Sequence, residues 1–316
     1  MLLHLGNRSY VTSFVLVGFS DYPQLQVALF LVFLAIYTVT LLGNLGIIVV
    51  RKLNPKLHTP MYFFLSHLSF LDICYSSVFT PKLLEILVVE ERTISFRGCM
   101  AQFFFGCACV FTEMFMLAVM AYDRFMAVCN PLLYTVAMPP KLCAVLVAGT
   151  YMWGVLCSLT ITYSLVQLSY CESSIINHFG CEYSAVLDVS CSDPSFSQMI
   201  CLIISILSEA CSLLITLASY VVIVVTIVRM PFKGGLQKAF STCTSHLMAI
   251  SIFHGILLLL YCVPSSKGSW LLVKVATVLY TVVVPMLNPL IYSLRNKDVK
   301  DTIRRLINPK LHCQST

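Results

Sequence analysis

Seven long apolar stretches divide this 316-residue chain, and they constrain its fold more than any other feature. A helix needs about 20 apolar residues to cross the hydrocarbon core of a bilayer, and each stretch reaches that length. The stretches are continuous and do not alternate polar with apolar residues, so helices are favoured over a β-barrel. The sequence therefore predicts an all-α membrane protein, a seven-transmembrane helix bundle. We place the spans at about 27–50, 60–80, 99–122, 141–163, 198–228, 239–262 and 272–294.

The composition agrees with a chain that lies mostly in lipid. Charged residues make up 11% of the chain, hydrophobic residues make up 59%, and the mean hydropathy is +0.88. A soluble domain carries about 25% charged residues, so this chain has too few to cover a water-facing surface. Residues 1–316 show no repeat or low-complexity tract and are predicted to form a single domain. The tail, residues 295–316, is expected to include a short amphipathic helix along the inner leaflet.

The distribution of basic residues predicts the orientation of the chain. If residues 1–26 lie outside the cell, most of the 20 Lys and Arg residues fall on the cytoplasmic side, as the positive-inside rule requires. We therefore expect a multi-pass plasma-membrane protein with a cytoplasmic C-terminus. The glycosylation sequon that begins at Asn7 then lies on the outer side. The net charge of +6 follows from this topology and does not indicate a nucleic-acid partner.

Four of the 15 cysteines fall on the outer side, where disulfides persist. These are Cys99 at the start of span three and Cys171, Cys181 and Cys191 in the long loop after span four. Four cysteines permit three pairings, and the spacing alone does not choose among them. The cysteines inside the spans are interpreted as small apolar residues. No cysteine has metal-ligand spacing with a histidine, so a zinc site is not expected.

Three acids lie within the predicted spans, where an ionisable group is costly and suggests a function. Asp72 and Glu113, in spans two and three, form a possible sodium site because hard cations prefer oxygen ligands. The alternative is that one carboxyl is protonated and only bridges two helices. Asn44 and Asn288 are candidates to join Asp72 in a buried hydrogen-bond network. Glu209, in span five, either borders a cavity or faces a neighbouring helix.

Asp123 and Arg124 stand where span three meets the cytoplasm. As an ion pair they would hold the bundle closed until Arg124 is released to contact another protein. A purely structural ion pair is the alternative, and the dipeptide by itself does not decide between the two.

Several motifs resemble those of the rhodopsin-like G-protein-coupled receptors and, more narrowly, the terrestrial-type (class II) odorant receptors of vertebrates. The broader resemblance rests on Gly43-Asn44, on Asp123-Arg124 and on Pro289 within the motif that ends at Tyr292. Phe125 and His254 depart from it, since tyrosine is the usual residue at both places. The narrower motifs are LHTPMYFFL at 57–65, MAYDRFMAVC at 120–129, SY at 219–220, KAFSTCTSHL at 238–247 and PMLNPLIYSLRN at 285–296.

This resemblance implies a function and a set of working residues. It implies a receptor that binds small volatile odorants in the outer half of the bundle and activates a heterotrimeric stimulatory G protein of the olfactory type, which raises cyclic AMP. No catalytic residue is expected, and no cofactor beyond a possible structural Na⁺. It also implies the disulfides Cys99–Cys181 and Cys171–Cys191, with Cys99–Cys191 as the runner-up. The activation switch would comprise Asp123, Arg124, Tyr220, Asn288, Pro289 and Tyr292.

Helix geometry predicts the span-three side chains that line the ligand cavity, because residues three and a half to five turns outward of Arg124 lie at the depth of the outer half, and residues of spans five, six and seven are expected to face them. Helix–helix packing is the alternative for each of them. His254 is the sharpest case: it would donate to the ligand or to a group of span three, or else it is satisfied by a backbone carbonyl. The predicted lining is Gly106, Cys107, Val110, Phe111, Ser205, Ser208, His254, Leu257, Leu258, Tyr261, Thr277 and Thr281.

Other classes of function fit the sequence less well. A rhodopsin-like receptor for another small non-amine ligand is the nearest alternative. An amine receptor would need an acid in the outer half of span three, and Glu113 lies too deep. A secondary transporter would need paired repeats and interrupted helices, which seven unequal spans do not show.

Overall fold

Seven helices long and apolar enough to cross a membrane are present in the computed structural model, which confirms the predicted fold class. The structure describes residues 11–19, 23–89, 91–170, 174–229, 233–262, 270–293, 299–300 and 302, with the backbone alone at 233–242, 261–262 and 292–293. Spans one to six are Gln26–Leu53, Pro60–Val88, Phe96–Cys129, Pro140–Val166, Ser195–Val228 and Lys233–Cys262. Span seven joins Trp270–Val278, a π-helical turn Leu279–Val283, and Val284–Ser293.

Local signals set several helix ends beyond the apolar stretches. Pro60 and Pro140 each occupy the first turn of a helix, where the missing N–H costs nothing. Ser95 caps span three by accepting a hydrogen bond from the Gly98 amide at 3.1 Å. Span two continues through Pro81 to Val88, well past the end of its apolar run. Span two is therefore longer than the apolar stretch from which it was predicted.

Span three is the centre of the bundle and packs against spans two, four and five. Span four approaches it closely at Gly154, where a Cβ atom would lie 2.7 Å from the Ala108 carbonyl oxygen. Ser158 donates to the Phe104 carbonyl at 2.6 Å, and Ser212 of span five donates to the Met114 carbonyl at 3.0 Å. Small residues and hydroxyls at helix contacts are the usual means of association in lipid, where apolar burial supplies little drive.

A small three-stranded sheet covers the outer end of the bundle. Strand β1, Ser13–Leu16, pairs antiparallel with β2, Thr93–Ser95, and parallel with β3, Ile175–Ile176. The inward side chains of β1 are fully buried, and the outward ones are exposed. Lys274 of span seven links the bundle to the segments beside the sheet. Its Nζ donates to the Gly18 carbonyl and to Asn177 Oδ1, each at 2.8 Å. The sequence analysis did not predict this sheet.

A disulfide joins Cys99 to Cys181, with 5.4 Å between their Cα atoms, and so ties the long outer loop to span three. This is the pairing that the family resemblance implies, and it excludes the runner-up Cys99–Cys191. Cys191 is also disulfide-bonded. Cys171 and the sequon residue Asn7 lie outside the described residues, so their predicted roles stay predictions.

The described part of the tail is short. Val299 and Lys300 are helical, and Val299 is buried. Asn54, at the end of span one, donates from Nδ2 to Thr302 Oγ1 at 2.8 Å. These contacts place the start of the tail against the inner end of span one, as an amphipathic helix along the inner leaflet requires.

Candidate functional site

A cavity of about 250 Å³ opens inside the outer half of the bundle, beneath the loop that carries Cys181. Most of its wall is apolar. Gly106, Cys107, Val110, Phe111, Ser205 and Leu257, which helix geometry predicts as lining residues, all lie in this wall. The rest of the wall is Tyr75, Phe79, Phe103, Ile161, Cys181, Glu182, Tyr183, Ser184, Cys201, Leu260, Val273 and Tyr280.

Five of the other six predicted lining residues are not part of this wall. Leu258 is 46% exposed on the outside of span six, because a helix turns about 100° per residue and Leu257 takes the inward position. Ser208 is buried and accepts a hydrogen bond from Trp153 Nε1 at 3.3 Å. Thr277 and Thr281 are fully buried within the bundle, away from the wall. The side chain of Tyr261 is not among those the structure describes.

His254 also lies outside the wall, in a buried pair with Glu209. Its Nδ1 is 2.7 Å from Glu209 Oε1. Glu209 follows the cavity residue Ser205 by four positions, and His254 precedes Leu257 by three, so the pair lies about one helical turn below the cavity. The partner is thus neither a span-three group nor a backbone carbonyl. Within the described residues, the second nitrogen of His254 and the second oxygen of Glu209 have no hydrogen-bond partner.

A chain of edge-to-face aromatic contacts connects the cavity wall to this pair. Phe79 contacts Tyr75 with 5.4 Å between ring centroids, and Tyr75 contacts Tyr280 at 5.1 Å. Tyr280 contacts Phe253 at 5.5 Å, and Phe253 contacts His254 at 5.2 Å. Such geometry is the favoured one for aromatic pairs and adds about 0.5–1.5 kcal/mol each beyond area burial. The row of rings therefore runs from the cavity wall to His254, which is hydrogen-bonded to Glu209 of span five.

The outer loop supplies the carboxyl group of the wall and one of its three phenol groups, while the other two belong to Tyr75 and Tyr280. Tyr183 shares a hydrogen bond of 3.1 Å with Ser197, and burial raises the pKa of Tyr183 to about 12, so its hydroxyl stays protonated. The Glu182 carboxylate lies 3.6 Å from Nε2 of His178, which is fully buried. Burial lowers the pKa of His178, although Glu182 opposes that shift, so the ring is neutral under ordinary conditions. The wall thus carries a carboxylate and, in the part of the chain described, no Lys, Arg or His.

The sequence analysis missed the contribution of span two and of the outer loop to the wall. Tyr75 and Phe79 stand four residues apart, a spacing that signals one face of a helix, but Asp72 drew attention to the inner half of that span. Glu182 and Tyr183 follow Cys181 directly. A disulfide to span three brings that stretch over the bundle, so the implied pairing was the available signal for these two residues.

Deeper in the bundle, Asn288 donates from Nδ2 to both oxygens of Asp72, at 3.1 and 3.2 Å. Glu113 is buried and lies close enough to interact with Asp72 and Asn288. Asn44 differs from the expectation, because its Nδ2 donates to the Pro285 and Thr40 carbonyls at 2.9 and 3.0 Å. The network therefore joins spans two, three and seven, while Asn44 fastens span one to the backbone of span seven.

At the end of the bundle that the sequence analysis assigns to the cytoplasm, Arg124 Nη2 donates to Asp123 Oδ2 at 2.6 Å. Tyr134, in the short helix Tyr134–Ala137 after span three, donates its hydroxyl to the other oxygen of Asp123 at 2.7 Å. Tyr220 of span five is bonded to His246 Nδ1 of span six at 2.7 Å. Pro289 lies against Gly43, where a Cβ atom would be 3.3 Å from its ring. Tyr292 is helical, and its side chain is outside the described set.

Comparison with known proteins agrees with these features. A model of the olfactory receptor family matches residues 33–310. The chain is 79% identical to Olfactory receptor 1165 of Mus musculus over the full length of both proteins. It is 62% identical to Olfactory receptor 5D18 and 60% identical to Olfactory receptor 5D13 of Homo sapiens, in each case over 98% of this chain and 99% of the relative.

Proposed function

The chain belongs to the olfactory receptor family, and from that premise we propose that it binds a small volatile molecule in the cavity and activates a stimulatory heterotrimeric G protein, which raises cyclic AMP. It is a multi-pass membrane protein. The observation that carries the proposal is the apolar cavity in the outer half of the bundle, connected by packed rings to the contact between spans five and six. We propose no catalytic chemistry for this site.

The size and lining of the cavity favour a volatile ligand. Its volume of about 250 Å³ lies below the usual range of about 300–1,000 Å³ for small-molecule pockets. Ser205 and the Glu182 carboxylate are the groups best placed to fix orientation, by one or two hydrogen bonds. The ligand is then held mainly by shape and apolar contact, and a hydrogen-bond donor on it would find an acceptor at Glu182.

Ligand binding would bias the arrangement of spans five and six. A ligand shifts an equilibrium only if it contacts the two arrangements differently. Here it would contact Tyr75 and Tyr280, whose rings lead to His254, and His254 is bonded to Glu209 of span five. Movement of this row changes how the two spans meet, and separation of their inner ends opens a cytoplasmic groove.

The charges at the inner end would respond to that opening. Asp123 is held by both Arg124 and Tyr134, so Arg124 is occupied in this structure. We propose that loss of these bonds frees Arg124 to contact the G protein, with Tyr220 leaving His246 in the same step. Pro289 and Tyr292 would take part through the inner end of span seven.

We propose that Asp72 and Glu113 are the acidic ligands of a sodium ion. Their carboxylates and the carbonyl of the Asn288 side chain are oxygen ligands of the kind that hard cations take. Among the described residues, no group of three or more His, Cys, Asp or Glu side chains is placed to hold a metal. A bound Na⁺ would therefore rely on these two acids and on neutral oxygens, and it would offset the repulsion between the acids. Basal signalling that does not change when Asp72→Asn removes one carboxylate would count against this site.

We further propose that the N-terminus is extracellular, that Asn7 is glycosylated, and that the receptor acts at the plasma membrane. The positive-inside distribution of Lys and Arg supports this orientation. The Cys99–Cys181 disulfide also supports it, since disulfides persist in the oxidising space outside the cell. Deglycosylation that shifts the gel mobility of the wild type and not of Asn7→Gln would establish the sequon and the side on which it lies.

The function is tested in cells that express the full chain, by measuring cyclic AMP during exposure to a panel of volatile molecules. The matched control is Arg124→Gln, which leaves the cavity intact and removes the cation that meets the G protein. We expect dose-dependent cyclic AMP in the wild type and none in the control at equal surface expression. The proposal would be refuted if the wild type reaches the cell surface but no volatile molecule raises cyclic AMP, or if Arg124→Gln gives the same cyclic AMP response as the wild type. Cellular uptake of the same molecules without a cyclic AMP signal would instead favour a transporter.

A further inference from the structure

The ring of Phe79, in the wall between span two and the cavity, is held between two glycines. At Gly106 of span three, a Cβ atom would lie 2.7 Å from both Cε2 and Cζ of this ring. At Gly180 of the outer loop, it would lie 2.9 Å from Cδ1 and 3.3 Å from Cε1. The two glycines thus contact different atoms of one ring, and neither position accepts a Cβ while the ring stays where it is.

Hydrogen bonds restrict the movement of the outer loop that a Cβ atom at Gly180 would otherwise require. Gln102 of span three accepts a hydrogen bond from the Cys181 amide at 2.9 Å and donates to the Val78 carbonyl of span two at 3.0 Å. Gln102 is buried, and its Oε1 lies 3.4 Å from the same Cβ position. The loop is therefore pinned to both spans beside the ring of Phe79.

Span three is also fixed on its far side. It packs against span four at Gly154, where the Ala108 carbonyl already limits the approach of the two helices. It is tied to the outer loop by the Cys99–Cys181 disulfide. An added methyl group at Gly106 or Gly180 would therefore be relieved by movement of the Phe79 ring. The cavity is the open space that the ring borders, and Gly106 lies in the same wall.

We propose that Gly106 and Gly180 are specificity-determining residues that set the largest ligand the cavity admits, because the lack of a Cβ at both lets the Phe79 ring keep its position in the wall. This inference rests on the proposed function, since it concerns the same cavity. A Cβ at either glycine turns the ring inward and excludes bulky ligands while leaving room for small ones. In a pocket of this kind, one methylene changes discrimination by about 10- to 200-fold, so a displaced phenyl ring has at least that effect.

The size of the cavity can be measured without an odorant, because the thiols of Cys107 and Cys201 lie in its wall and both cysteines are free. We suggest labelling the full-length receptor in membranes with methyl and benzyl methanethiosulfonate and measuring modification at each cysteine by mass spectrometry. The ratio of benzyl to methyl labelling reports the space available. The ratio at each cysteine in the wild type is the reference for the variants.

The variants are Gly106→Ala, Gly180→Ala, Phe79→Ala and Gly106→Ala combined with Phe79→Ala. Gly255→Ala is the matched control, because a Cβ there has nothing within 4 Å. We expect the ratio to fall about tenfold or more in both glycine variants and to return when Phe79→Ala is added. Phe79→Ala alone should raise the ratio, and Gly255→Ala should leave it unchanged.

Wild-type ratios in both glycine variants, or a fall that Phe79→Ala does not reverse, would overturn the inference. If the glycine variants do not reach the membrane, the test rests on Phe79→Ala. An unchanged ratio of benzyl to methyl labelling in that variant overturns the inference. The labelling needs no agonist, so its failure is distinguishable from failure of the proposed function. Responses to volatile molecules without the labelling pattern refute only the role of the glycines, whereas the labelling pattern without any response refutes only the receptor function.

Discussion

Gly154→Ala offers a strict test of how closely spans three and four approach each other. An added Cβ would lie 2.7 Å from the Ala108 carbonyl oxygen and 3.1 Å from the Thr112 amide nitrogen, and it would overlap Thr112 Oγ1. Two of these three atoms belong to the backbone, so a change of rotamer cannot relieve the contact. Gly149 lies on the same helix, and an added Cβ there has nothing within 4 Å. The two glycines thus form a matched pair in which only one is at an interface.

The free energies of unfolding of the two variants should change in opposite directions. Replacing glycine by alanine in a helix is worth about 1 kcal/mol in its favour, which is the whole effect expected for Gly149→Ala. Overpacking at Gly154 costs about 1–3 kcal/mol. Disturbing the 2.7 Å hydrogen bond from Thr112 Oγ1 to the Ala108 carbonyl costs about 0.5–1.5 kcal/mol more. We therefore expect Gly154→Ala to be less stable than Gly149→Ala by about 1.5–4.5 kcal/mol.

The assay is the apparent Tm of detergent-solubilised receptor carrying a fluorescent fusion, read as the fraction that remains monodisperse after heating. Surface expression in cells gives a second reading, since marginal stability lowers abundance. Gly149→Ala should match or exceed the wild type in both measurements, and Gly154→Ala should fall below it. Equal Tm values for the two variants would refute the close approach at Gly154 and the packing drawn from it.

Three further outcomes are expected. His254→Phe leaves Glu209 without its partner and should flatten the odorant dose–response curve at normal surface expression; an unchanged curve would remove the pair from signalling. Tyr134→Phe deletes one hydrogen bond to Asp123, worth about 1.5–3 kcal/mol, and should raise cyclic AMP without odorant, whereas equal basal signals would contradict that. Burial lowers the pKa of His178 below the ordinary 6.5, so the opened outer loop binds the proton more tightly than the closed one. The closed loop should therefore lose stability as the pH falls through 6.5, seen as lower hydrogen-exchange protection factors at 174–187, after correction for the slower intrinsic exchange at acid pH, and His178→Gln should abolish this fall; equal acid sensitivity in that variant would assign the effect to other groups.

Hydropathy and charge were sufficient to predict the bundle, because crossing a bilayer needs length and apolarity, and both are local properties of the sequence. The cover sheet lies beyond such reasoning. Its strands have four, three and two residues, and each comes from a different outer segment. A strand this short has no periodicity of its own, and its pairing depends on how the disulfide and Lys274 place the segments.

The cavity shows where prediction by helical position stops. Depth along a span follows from counting turns, and the predicted residues of spans three and five that lie in the wall depend only on that count. The direction of a side chain also depends on how the helix is rotated about its axis. For this reason Leu258 was predicted in the wall together with Leu257, but only Leu257 lies there. In span seven the π-helical turn Leu279–Val283 closes hydrogen bonds to the fifth residue, so it alters the face on which later residues lie. Tyr280 lies in the wall, whereas Thr277 and Thr281 are the residues predicted from this span.

The buried polar residues Glu209 and His254 could be recognised from the sequence, but their pairing could not. Glu209 and His254 each stand out in the sequence, because an ionisable group in lipid is costly and needs a partner. Glu209 and His254 are 45 residues apart in sequence, and whether they meet depends on how spans five and six are rotated about their axes. Paired with each other, the two side chains join spans five and six about one turn below the cavity, so the cost of burying them falls on the contact that we propose changes during activation. On that proposal, a receptor that replaced both by apolar residues would keep its fold and lose the polar contact by which the cavity acts on span five.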